Sequence, residues 1–177
     1  VASTGNTFPG TGENNAGIGA TAWTNPGNVT ADDTTDATCT AAASSQYLVA
    51  RNYSFAIPPN ADILGITVRI EASESSAGTE SLNAQLQNDT GTLIGSSKSA
   101  TISGTAKAVY TYGGTTDVWG ATLTAAIIND ADFGVRFWYT TAHNVQVDYV
   151  TLAVEYKAEV PILLMAPLIP VERKSAT

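Results

Sequence analysis

Cysteine, histidine and basic residues are nearly missing from this sequence. Cys39 is the sole cysteine of 177 residues, so no intrachain disulfide and no thiolate metal cluster can form. The single histidine, His143, lies in the polar stretch Thr140 to Asn144, with no nucleophile elbow to accompany it, and reads as a solvated turn residue. Eight Lys and Arg against sixteen Asp and Glu leave a net charge of −8. Nucleic-acid binding needs clustered cations to neutralise phosphates, so that class of partner is not expected. Charged residues make up 14% of the chain, well under the usual ~25%. Sustained helical periodicity is lacking too: no apolar i, i+3, i+4, i+7 pattern lasts two turns. The one long apolar run, Val160 to Val171, is shorter than the ~20 residues a membrane-spanning helix needs and carries three prolines. No membrane is expected as a partner.

What is present is period-two alternation between turn signals. Tyr47, Val49, Tyr53, Phe55 and Ile57 share the odd phase of a run ending at Pro58-Pro59, and are expected to form one strand face. Leu64, Ile66, Val68 and Ile70 alternate with polar neighbours, as do Leu82, Ala84 and Leu86. Leu93-Ile94 and Thr101-Ile102 are weaker candidates on either side of a Ser-rich stretch, and Lys107 to Tyr112 is another strand. Thr124 can cap one helical turn through Ala125 to Ile127. Phe133, Val135, Phe137 and Tyr139 form a further apolar face. In the final strand Val145 and Val147 are odd, whereas Val150, Leu152, Val154 and Tyr156 are even. Such a phase change requires a β-bulge near Asp148-Tyr149. Short strands joined by Gly, Pro and Asn turns predict an all-β fold, a jelly-roll-like antiparallel β-sandwich with an extended C-terminal arm. The expected organisation is an irregular N-terminal arm over 1–19, the sandwich over 20–157, and an apolar, Pro-rich docking arm over 158–177.

Several residues invite chemistry. Asp32, Asp33 and Asp36 cluster in a loop, and hard carboxylate oxygens can hold Ca²⁺. Their spacing does not fit an EF-hand, so no cofactor is expected and a solvated acidic turn is preferred to a structural calcium site. Glu71, Glu74 and Glu80 could suggest a glycosidase carboxylate pair, but their Ser- and Gly-rich setting reads as a solvated loop, and no catalytic residue is assigned. Trp138 takes the outward phase between Phe137 and Tyr139, and an exposed indole suits either a subunit interface or the face of a sugar ring. In the arm, Ile162, Leu163, Leu164, Met165, Leu168 and Ile169 form an extended apolar strip suited to docking against a neighbour, since left in water it would promote aggregation.

The blocks Ala22-Trp23-Thr24-Asn25-Pro26-Gly27-Asn28, Tyr53-Ser54-Phe55-Ala56-Ile57-Pro58, Ile63 to Ile70, Tyr112 to Gly120, Asp132 to Arg136 and Val147 to Val150 occur in an order resembling the jelly-roll-like β-sandwich domains of tailed-bacteriophage virion proteins. The resemblance spans roughly residues 20 to 156. It implies a non-enzymatic decoration or accessory protein of a phage head or tail, located in the virion and contacting copies of itself and other virion structural proteins. The alternative is a carbohydrate-binding module with a surface glycan as partner.

Overall fold

A computed structural model describes residues 1–40, 43–75 and 78–159. Ten strands fall in chain order as β1 (Ala2–Ser3), β2 (Thr11–Asn15), β3 (Ala37–Thr40), β4 (Tyr47–Arg51), β5 (Asp62–Glu74), β6 (Thr79–Gln87), β7 (Leu93–Ser103), β8 (Ala108–Gly114), β9 (Gly134–Trp138) and β10 (Asn144–Lys157). A 3-10 turn over Pro26–Thr30 and the short helix α1 (Ala125–Asn129) complete the elements. The Thr124 hydroxyl accepts a hydrogen bond from the Ile127 amide, the expected cap.

The strands pair into two antiparallel five-stranded sheets. One runs β1-β10-β5-β8, with β3 also paired to β10, and the other runs β2-β4-β9-β6-β7. From β4 onward nearly every connection crosses between the sheets; the β6–β7 hairpin is the exception. The result is the expected jelly-roll-like sandwich. Between the sheets lie Ile66, Val68 and Ile70 of β5, Leu82, Ala84 and Leu86 of β6, Val135 and Phe137 of β9, and Val150, Leu152 and Val154 of β10, all sealed from water. Each large aliphatic side chain so buried contributes roughly 1.5–3 kcal/mol. Two buried aromatics have their polar ends satisfied: Trp119 Nε1 donates to the Ile66 carbonyl at 2.9 Å, and Tyr112 Oη to the Leu82 carbonyl at 3.0 Å.

The sheet register corrects three sequence expectations. The alternation from Tyr47 to Ile57 is not one strand. β4 stops at Arg51, and Asn52 (φ 64°) and Ser54 (φ 54°) take left-handed conformations. These two turns rotate the chain, so Tyr53, Phe55 and Ile57 reach the core, while within β4 the core-facing residues are Leu48 and Ala50, not Tyr47 and Val49. Leu64 falls in a register irregularity between Gly65 and Ile63, and Ile63 packs on the core in its place. The stretch 1–19 is not a free arm. Its backbone adds β1 to β10 and β2 to β4, covering edges that would otherwise expose unpaired amides. Gly- and Asn-rich segments can pair this way without any side-chain alternation to announce it. The Ser-rich stretch between Leu93 and Ile102 likewise continues as one strand, β7, paired along β6.

Candidate functional site

The β-bulge expected near Asp148-Tyr149 is present. Along β10 the register passes from Val147 opposite Ala72 to Val150 opposite Ile70, so both Asp148 and Tyr149 stand against the single residue Glu71. A bulge of this kind re-aims side chains. Here it brings the Asp148 carboxylate and the Tyr149 ring to the outer face of the β10-β5-β8 sheet beside Glu71. The neighbouring row of that face is Thr151 on β10, Arg69 on β5 and Thr111 on β8, and the bulge row ends at Val109 on β8.

The N-terminal segment completes the surface. Thr7 bridges to Leu152, which holds Asn6 and Phe8 along the side of β10, and the Phe8 ring meets Tyr149 edge to face with centroids 5.9 Å apart. Between this wall and Val109 runs a groove of about 590 Å³ over the Arg69 row. Phe8 is 41% exposed and Val109 48%. Both side chains line the same groove.

An acidic cluster borders the groove. Carboxylate oxygens of Asp32, Glu71 and Asp148 lie within 4.8 Å of one another. Asp148 is almost fully buried, and its charge is met by Lys107 Nζ at 3.0 Å and by the Asp33 amide at 3.5 Å. Lys107 also pairs with Asp36 at 2.7 Å. Burial opposes the Lys107 charge, but the Asp36 and Asp148 carboxylates outweigh it and hold the ammonium above its ordinary range. Burial pushes the Glu71 carboxyl up, and its hydrogen bond to Asp148 and the negative charges of Asp148 and Asp32 push the same way, against Lys107. The Tyr149 phenol is raised by burial first and then by the same carboxylates.

Of the three loop acids singled out in the sequence, only Asp32 joins that cluster. Asp33 instead accepts hydrogen bonds from the amide and hydroxyl of Thr35, which hold its carboxyl below the usual range, and Asp36 is neutralised by Lys107. Asp32, Glu71 and Asp148 have the hard-oxygen chemistry that Ca²⁺ takes, yet Lys107 already supplies a compensating charge to this cluster.

The expectation of a solvated loop around Glu74 and Glu80 is wrong. Glu74 is sealed from water at the end of β5, with one oxygen 3.3 Å from His143 Nδ1, and Glu80 is buried with hydrogen bonds from the Ser81 amide and the Thr141 hydroxyl. His143 is therefore the partner of a buried carboxylate and not a free turn residue. The β5–β6 connection crosses between the sheets, and a Cβ at Gly78 would sit 2.7 Å from the Glu74 carboxylate.

Trp138 does face outward, but from the other sheet, half-buried and edge-on to Tyr47 at 5.3 Å. The shallow pocket of about 290 Å³ on that sheet has its charged lining paired internally: Arg51 binds Glu13 and Asp132, and Arg136 binds Gln87 and the Gly91 carbonyl. Ile162, Leu163, Leu164, Met165, Leu168 and Ile169 lie outside the described residues. Sequence reasoning missed Phe8, Val109 and Lys107 as site residues. The phase change at Asp148-Tyr149, opposite a strand carrying Arg69 and Glu71, was the one signal pointing to this face. No protein-family model and no curated protein matches this chain.

Proposed function

We propose that this domain is a non-enzymatic structural module of a tailed-phage virion, held in place by contacts with copies of itself and other virion proteins, whose working surface is the bulge groove. What supports the surface is the convergence of exposed Phe8 and Val109 with Tyr149 over a polar floor. The virion setting is supported by the resemblance blocks. Their bulky members build the sandwich: Trp23 and Trp119 are buried corner residues, and Asn14 clamps the Trp23 backbone with two hydrogen bonds of 2.8 Å. From the Val147 to Val150 block, Tyr149 lines the groove.

Gradient-purified particles provide the test. The expected result is that the chain sediments with particles in a fixed copy number and that Phe8→Ser with Val109→Ser leaves folding intact. A free monomer that never accompanies particles would overturn the virion role.

A further inference from the structure

The groove has two kinds of lining, and together they narrow what can occupy it. Its walls are the side chains of Phe8, Tyr149 and Val109. Its floor is the hydrogen-bonding row Thr151, Arg69 and Thr111, with Asn6 and Asp32 at the sides. Arg69 is exposed and, among the described residues, makes no hydrogen bond or ion pair, although its guanidinium carries five donors. Its counterparts on the opposite sheet, Arg51 and Arg136, are fully engaged. A wholly apolar occupant would strand the donors of Arg69 and the acceptors of Asp32, and a polar group covered without a partner opposes binding. A small inorganic anion would leave the aromatic wall unused.

A pyranose meets both demands. Its C–H face is apolar and packs on aromatic rings, while its hydroxyls both donate and accept. The volume of about 590 Å³ suits one to two sugar rings. Charge decides between sugar classes. Asp32, Glu71 and Asp148 border the groove, whereas Lys107 is already committed to Asp36 and Asp148. Arg69 alone does not reverse that field, so a carboxylated or sulfated sugar is repelled.

We propose that this groove is a carbohydrate site for neutral, hexose-containing glycans, with a pyranose seated on Phe8 and Tyr149 and its hydroxyls held by Arg69 and Asp32. The inference rests on the groove's being the working surface, and does not depend on which particle carries the domain. It places sugar recognition on the sheet opposite Trp138.

The test is an array of neutral, sialylated and uronate-containing glycans probed with the full chain, followed by calorimetric titration of the best neutral oligosaccharide. Tyr149→Ala, Phe8→Ala and Arg69→Met should each weaken binding at least tenfold, and Trp138→Ala should leave it unchanged. Phe8 and Arg69 are exposed, so these variants should keep the wild-type melting temperature. Replacing a neutral ring by its uronate should weaken binding at least tenfold. Absence of neutral-glycan binding at millimolar concentration, preference for acidic glycans, or binding that survives both Phe8→Ala and Arg69→Met would overturn the proposal. Loss of particle association in Phe8→Ala without any glycan binding would overturn the sugar assignment and leave the virion role standing. Glycan binding by a chain that never accompanies particles would do the reverse.

Discussion

Replacing Lys107 by Met would test how the acidic wall of the groove is held. Lys107 Nζ lies 2.7 Å from Asp36 and 3.0 Å from Asp148, and the Asp148 side chain is 2% exposed. Methionine keeps most of the aliphatic stem, so packing changes little while the cation is lost. Removing one partner of a fully buried ion pair costs about 3–5 kcal/mol, because the other charge stays buried without compensation. Lys107 is itself 28% exposed, and water screening reduces the expected cost to about 2–3 kcal/mol. For a domain of this size that is a fall in Tm of about 4–12 °C. Thermal melts at pH 7 would read it. Adding Asp148→Asn to Lys107→Met should recover half or more of the loss, because a neutral amide needs no cation. A Lys107→Met variant as stable as wild type at pH 7, or a double variant that recovers none of the loss, would show that Lys107 does not hold these carboxylates.

Glu71 carries a carboxyl raised above its ordinary 4.5. The native state therefore holds that proton more tightly than the unfolded chain, and the stability this lends is full below the ordinary value and lost as pH rises through the folded one. Glu71→Gln should accordingly match wild type near pH 3 and exceed it by about 0.5–1 kcal/mol at pH 7; urea titrations showing a loss at pH 7 would contradict the repulsion. Ser54 is exposed and left-handed at φ 54°, so Ser54→Gly should raise stability by about 0.5 kcal/mol by relieving the Cβ clash. A lower Tm in that variant would place the conformation's origin elsewhere. Because Lys107 already compensates Asp148 and Asp36, chelating calcium should leave the melting temperature unchanged, whereas a drop of several degrees would reveal a bound ion.

Much of the fold was legible because half-buried strands impose period-two patterning. β5, β6 and β9 are placed by Ile66 to Ile70, Leu82 to Leu86, and Phe133 to Tyr139. Even the bulge was legible, since one extra residue inverts the phase between Val147 and Val150. The register of β4 was not. Asn52 and Ser54 break the alternation by backbone rotation, and a left-handed Ser leaves no mark in a hydrophobicity pattern. The strands at 1–19 were equally silent, because they join by backbone pairing at sheet edges. Half of the groove was hidden for a related reason. Asp148, Tyr149, Arg69 and Glu71 sit on strands whose pairing can be guessed, whereas Phe8 arrives from a segment of no pattern, and Lys107 reaches Asp36 and Asp148 from far along the chain. The burial of Glu74 and Glu80 reversed the expectation because tertiary packing, with His143 beside Glu74 and Thr141 beside Glu80, decides what a strand end exposes, and local composition does not.

We propose this sandwich as a virion component that presents the Phe8–Tyr149 groove. Electron cryomicroscopy of intact particles tests it most directly. The sandwich should repeat at symmetry-related positions, with neighbouring subunits contacting other faces and the groove over Arg69 open to solvent. Particles lacking this density, or particles in which the groove is sealed beneath a neighbouring subunit, would contradict it.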